Sequence, residues 1–251
     1  MRALSVVAVA IMALAAAAVA FAPAALVDSR VDAASDGQLR LAGSEGTLWR
    51  GRSTVVVGDG VARVPVAWQL DPWSLASGEV RITLDPPSDD PAAPRGRISV
   101  TANRVRVEQL ALGLPAAAAA AHISVPGLRA GGEIALRIED LAMAGAVERG
   151  TLRLDWRGAR LTVAGQPTLD LGTVTAALAP REGALAGPLT ARGGTIRIDG
   201  EATLAPGGAR LAARLVPEAI AGAAERAVLA QLGAPAADGS VSIDVARNLR
   251  R

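Results

Sequence analysis

The chain has 251 residues, 51% of them hydrophobic, with 26 basic side chains against 24 acidic and a net charge of +2. Every one of those basic residues is Arg; Lys, Cys and Tyr are absent, His and Phe occur once each, and Trp four times. These counts exclude disulfides and thiol chemistry, and they leave a core of Ala, Val and Leu with few aromatic rings to fill it.

The sequence pI of about 10.6 reflects a small Arg excess with almost nothing titrating between carboxylate and guanidinium. The arginines alternate with apolar residues, as in Arg104-Val105-Arg106-Val107 and Ile196-Arg197-Ile198-Asp199. That spacing marks a solvated strand face rather than a basic patch, so no nucleic-acid partner is expected.

At the N-terminus Arg2 precedes an uncharged stretch from Ala3 to Val27, closed by Asp28 and Arg30. Some twenty residues at a rise of ~1.5 Å each match a hydrocarbon core of ~30 Å. The stretch exceeds an ordinary signal-peptide core, which favours an uncleaved anchor with the N-terminus inside and the bulk outside. A cleaved signal peptide is the competing reading, with Ala18-Val19-Ala20 and Ala22-Pro23-Ala24 as its cleavage triplets. The division that follows is a membrane anchor over 1–27, a polar linker over 28–43 with a first strand beginning near Gln38, and a β-rich domain over 44–251.

Gly46 to Leu75 holds Trp49, Trp68 and Trp73. Thr47-Leu48-Trp49-Arg50 reads as extended chain leading into Thr54-Val55-Val56-Val57, the Gly58-Asp59-Gly60 turn and a second run from Val61 to Leu70. The expectation is an aromatic-anchored hairpin whose tryptophans plug one end of the sheet.

A short pattern then recurs, in which Gly leads an apolar–polar alternation. It starts at Gly78, Gly96, Gly132, Gly150, Gly194 and Gly239. Alternation with period two puts Val, Ile and Leu on one face, and the leading Gly suits a hairpin exit with positive φ. Steps of 18 residues, as from Gly78 to Gly96, suggest one strand out and one back. Pro- and Gly-rich breaks separate the strands. The alanine run from Ala116 to Ala121 is too short for an independent helix and reads as a helical turn or a close small-residue contact. One true helix is expected from Pro217 to Gly233, with Ile220, Ala224, Val228 and Leu232 as its apolar stripe. The fold class is therefore mainly β: an N-terminal transmembrane helix, then an elongated antiparallel meander with one short C-terminal helix.

No catalytic constellation emerges. His122 stands alone among alanines, Asp89-Asp90 lies in a Pro-rich loop, and no nucleophile elbow or phosphate-binding glycine spacing occurs. No catalytic residue, cofactor or metal ligand is assigned.

Gly46-Thr47-Leu48-Trp49-Arg50-Gly51, followed by Val66-Ala67-Trp68, resembles the type II secretion system protein N family of Gram-negative bacteria. The end of the chain, Leu229-Ala230-Gln231-Leu232-Gly233 through Asp238-Gly239, is similar to that family as well. The resemblance implies a non-catalytic inner-membrane component with its bulk in the periplasm, a scaffold or docking surface for other secretion components. It singles out Gly46, Thr47, Trp49, Gly51 and Trp68 as structural or docking residues. An alternative drawn from the apolar strand faces is a groove that binds or transfers lipid, in the manner of AsmA-like and lipopolysaccharide-transport proteins.

Overall fold

A computed structural model describes residues 24, 28, 39–57, 62–86, 90, 92–120 and 127–248. The expected membrane anchor over 1–27, apart from Ala24, lies outside the described residues, as do the Gly58-Asp59-Gly60 turn and His122. Among those described, no helix is long and apolar enough to cross a membrane.

The described chain is one antiparallel sheet of thirteen strands in strictly sequential order. The strands are β1 (Leu39–Gly46), β2 (Arg50–Val57), β3 (Ala62–Leu70), β4 (Val80–Leu84), β5 (Arg95–Val100), β6 (Val105–Pro115) and β7 (Arg129–Met143). They continue through β8 (Val147–Thr162), β9 (Leu169–Arg181), β10 (Ala184–Gly193), β11 (Ile196–Ala205), β12 (Gly208–Pro217) and β13 (Val241–Asn248). Three short helices sit in connections: α1 (Pro72–Ala76), α2 (Ala116–Ala120) and α3 (Ala223–Leu232). The meander is as expected; among the described residues α2 is the helical turn expected at the alanine run, and α1 is the helix that was not expected.

Register explains the core. Trp156, Val174, Ala191, Ile198, Leu215 and Val241 pair in succession across β8 to β13, one continuous apolar row. A second row runs Leu110, Ile138, Leu152 and Leu178 across β6 to β9. Two buried clusters form around these rows, and Leu189 packs against both. The sheet curls enough that Val55 of β2 and Leu114 of β6 both pack on Ala118 of α2, which is fully buried. The single methyl groups of Ala116, Ala118 and Ala120, all buried, let this helical turn seat closely on the sheet.

Of the six glycines that lead the pattern, Gly78, Gly194 and Gly239 stand in turns just before β4, β11 and β13, as expected, while the other three have a different cause. Gly96, Gly132 and Gly150 lie inside strands, at β-bulges, not at hairpin exits. At each, one Gly faces two residues: Gln109-Leu110, Gly158-Ala159 and Asp140-Leu141 respectively. Gln109 and Asp140 are left-handed, with φ of 51° and 49°. A Cβ on Gly96 would lie 2.6 Å from Leu110 Cα, so the position has no room for a side chain. Bulges bend and twist a strand. The 18-residue steps also cover less than expected: Gly78 to Gly96 goes only from the approach to β4 to the adjacent β5.

The C-terminal helix is shorter than expected. Pro217 ends β12, paired with Ile196, where its missing N–H removes no ladder bond. Glu218 N then donates to Thr195 O at 2.9 Å, and the helix starts only after Gly222. Glu225 holds that start, accepting from Gly222 N at 2.7 Å and from Thr195 Oγ1 at 2.6 Å. Its buried residues are Val228 and Leu229; Ile220 and Leu232 of the expected stripe are exposed. With the first turn absent, the stripe rotates to the pair that meets the row ending at Val241.

The polar face carries cross-strand ion pairs: Arg97–Glu108, Arg181–Glu201, Arg192–Asp199 and Arg210–Asp244. Exposed pairs of this kind contribute about 0–1 kcal/mol each. They order the outer face more than they stabilise the fold.

Candidate functional site

The five residues singled out from the sequence fall around the β1–β2 connection. Gly46, Gly51, Trp68, Leu84 and Gly96 pair in register across β1 to β5. The Gly-Thr-Leu-Trp-Arg-Gly segment is thus the tight turn between β1 and β2, not an extended lead-in. Thr47 closes it: its N–H donates to Arg50 O at 2.9 Å, and its Oγ1 accepts from Arg50 N at 3.2 Å. Gly46 has φ of 92°, and a Cβ there would meet the Arg50 carbonyl oxygen at 2.5 Å.

Trp68 lies over Gly51. Its ring fills the space a side chain at Gly51 would occupy: a Cβ there would be 2.8 Å from Cε2 and 2.9 Å from Cη2. The indole is only 9% exposed, and its Nε1–H donates to Leu48 O at 3.0 Å. That bond satisfies the ring's one polar group, as burial of Trp requires. Trp156 repeats the device, donating from Nε1 to Gly131 O at 2.9 Å. Trp49 is half-buried, and its carbonyl accepts from Leu70 N at 2.7 Å, tying the turn to the end of β3.

Trp73 departs from the expected aromatic plug. It is 84% exposed on α1. Asp71 caps that helix, accepting from Trp73 N at 3.0 Å, while Ser74 turns inward and its Oγ donates to Asp71 O at 2.7 Å. A helix of five residues has one inward position, and the small Ser74 takes it.

Beside the turn opens a recess of about 440 Å³, with Glu45, Arg50, Arg52, Gln69, Thr83 and Asp85 on its walls and Trp68 among its lining. Glu45 and Arg52 are paired in register and joined at 2.5 Å. These polar wall residues were not among those singled out. Their signal in the sequence is faint, because any outward strand position favours charge. The walls carry both signs, which suits an extended polypeptide segment making backbone and charge-paired contacts. Nothing among the described residues supports the lipid-groove alternative.

The segment preceding β1 reaches the same place. Ala24 is buried and its N–H donates to Gly46 O at 3.3 Å; Asp28 Oδ1 accepts from Ser44 Oγ at 2.6 Å.

A family model described as type II secretion system (T2SS), protein N matches residues 37–244, which include the turn, Trp68 and twelve complete strands. No curated protein and no solved structure matches the chain.

Proposed function

The chain belongs to the type II secretion system protein N family, and from that premise we propose that it is a non-catalytic component of the secretion machinery, held once in the inner membrane with its sheet in the periplasm as a docking surface. Family membership places its role within type II secretion and protein transport. The docking reading rests on one observation: the mixed-charge recess beside the Gly46–Gly51 turn, backed by a Trp68 ring seated on Gly51. A turn so tightly packed presents its polar walls in fixed positions, which lowers the ordering cost of binding.

The test is site-specific photocrosslinking in intact envelopes, with a photoreactive residue at Arg50 or Gln69 and a control at Arg181 on the far part of the sheet. Adducts with another secretion component from the recess positions alone are expected. Adducts from the control position equally, or undiminished export of secreted enzymes after deletion of the gene, would overturn the reading.

A further inference from the structure

Seven large apolar side chains are exposed among the described residues, and four of them gather at one end of the sheet: Trp73, Leu75, Val80 and Val100. Val80 and Val100 face each other in register across β4 and β5. Trp73 and Leu75 sit on α1, which joins β3 to β4 at that same end. The β1–β2 turn is there too, because Leu70 N bonds to Trp49 O and Asp71 N bonds to Arg81 O at 3.0 Å. Scattered exposed apolar residues need no explanation, but a contiguous group headed by a Trp in water does.

What lies against this end follows from the chain entering it. Ala24, buried at the Gly46 carbonyl, is preceded by the uncharged stretch from Ala3 to Pro23. Roughly twenty residues at ~1.5 Å each suffice to cross a bilayer. No free length of chain separates that stretch from the sheet.

We propose that this end of the sheet rests on the lipid bilayer, with Trp73, supported by Leu75, Val80 and Val100, seated in the interfacial layer beside the anchor. The inference rests on the anchor proposed above. An indole suits that layer because its ring is apolar and its N–H remains free to meet headgroups or water. Charge does not oppose the contact. Three of the carboxylates near this turn, Glu45, Asp71 and Glu79, are ion-paired with Arg52 and Arg81. Seating this end on the membrane would fix the sheet's orientation and leave the α3 end, on the opposite side of the strands, facing away.

The experiment uses the full chain reconstituted in vesicles of phosphatidylethanolamine and phosphatidylglycerol, part of whose lipid carries brominated acyl chains. Flotation reports the anchor; quenching of tryptophan emission by bromine, and separately by aqueous iodide, reports where Trp73 sits. Wild type, Trp73→Phe and Trp156→Phe are compared, with circular dichroism as the check on folding. The expected result is flotation of all three, with most of the bromine-quenchable emission lost in Trp73→Phe alone and iodide quenching little changed by it. Flotation with bromine quenching equal in wild type and Trp73→Phe, and iodide quenching lost in that variant, would place Trp73 in water and overturn the seat while leaving the anchor intact. Failure to float would overturn the anchor and the seat together.

Discussion

The contact between Gly51 and Trp68 allows a sharp test, because the room for a side chain at Gly51 is taken by one ring. Gly51→Ala adds a Cβ whose three nearest neighbours are all atoms of that indole, with Cε2 at 2.8 Å and Cη2 at 2.9 Å. The ring is held by its hydrogen bond to Leu48 O, so it cannot swing away freely. Overpacking of this kind costs about 1–3 kcal/mol. Trp68→Ala removes a buried ring and should cost about 3–5 kcal/mol. In the Trp68→Ala background the obstruction at Gly51 is gone. There Gly51→Ala should be near neutral, or stabilising by about 0.4–1 kcal/mol through the lowered entropy of the unfolded chain. The two substitutions should therefore be strongly non-additive, with a coupling of at least about 1 kcal/mol. Urea unfolding followed by circular dichroism, applied to the two single variants and the double, measures it. Additivity to within about 0.5 kcal/mol, the behaviour of independent sites, would refute the packing argument.

Two further outcomes follow from the C-terminal part of the sheet. Leu229→Ala on α3, at a side chain 1% exposed, should cost about 2–5 kcal/mol, whereas Leu232→Ala, at 51% exposure, should stay within about 0.5 kcal/mol; equal melting shifts in the two would mean that the helix presents a different face. Acid should loosen β13 first. Asp244 is held below the usual carboxylate range by the Arg210 hydrogen bond, and Asp238 by hydrogen bonds from the Ser240 hydroxyl and amide. Folded values lower than unfolded ones mean that their contribution is fully present above the unfolded value of about 3.9 and is lost as pH falls through the folded ones. The protection of the Val241–Val245 amides, measured against their intrinsic exchange, should fall over that acidic interval and respond less to pH in an Asp238→Asn, Asp244→Asn variant; an unaltered acid response would exclude these two groups as its source.

Sequence alone determined the class of fold and much of its rhythm. Alternation with period two is a local property, so Ile98, Leu152, Ile196 and Val241 could be assigned to an apolar face without knowing which strands they would meet. Turn positions were legible for the same reason, since Pro fixes the backbone, and Gly frees it for positive φ, at the position where each stands. The Gly46–Gly51 segment was distinctive enough to point to its family, and the family match covers it. Tertiary structure decided what those residues do. Gly96, Gly132 and Gly150 look like turn glycines in sequence, and only the opposing Gln109, Gly158 and Asp140 make them bulges. Pro217 resembles a helix start until β11 pairs with it, because a strand partner far along the chain outweighs a local preference. The three tryptophans of the opening hairpin also look equivalent in sequence, yet Trp68 is buried over Gly51, Trp49 is half-buried and Trp73 is exposed. Burial depends on what lies across the sheet and around its curl, and a period-two pattern carries no information about either.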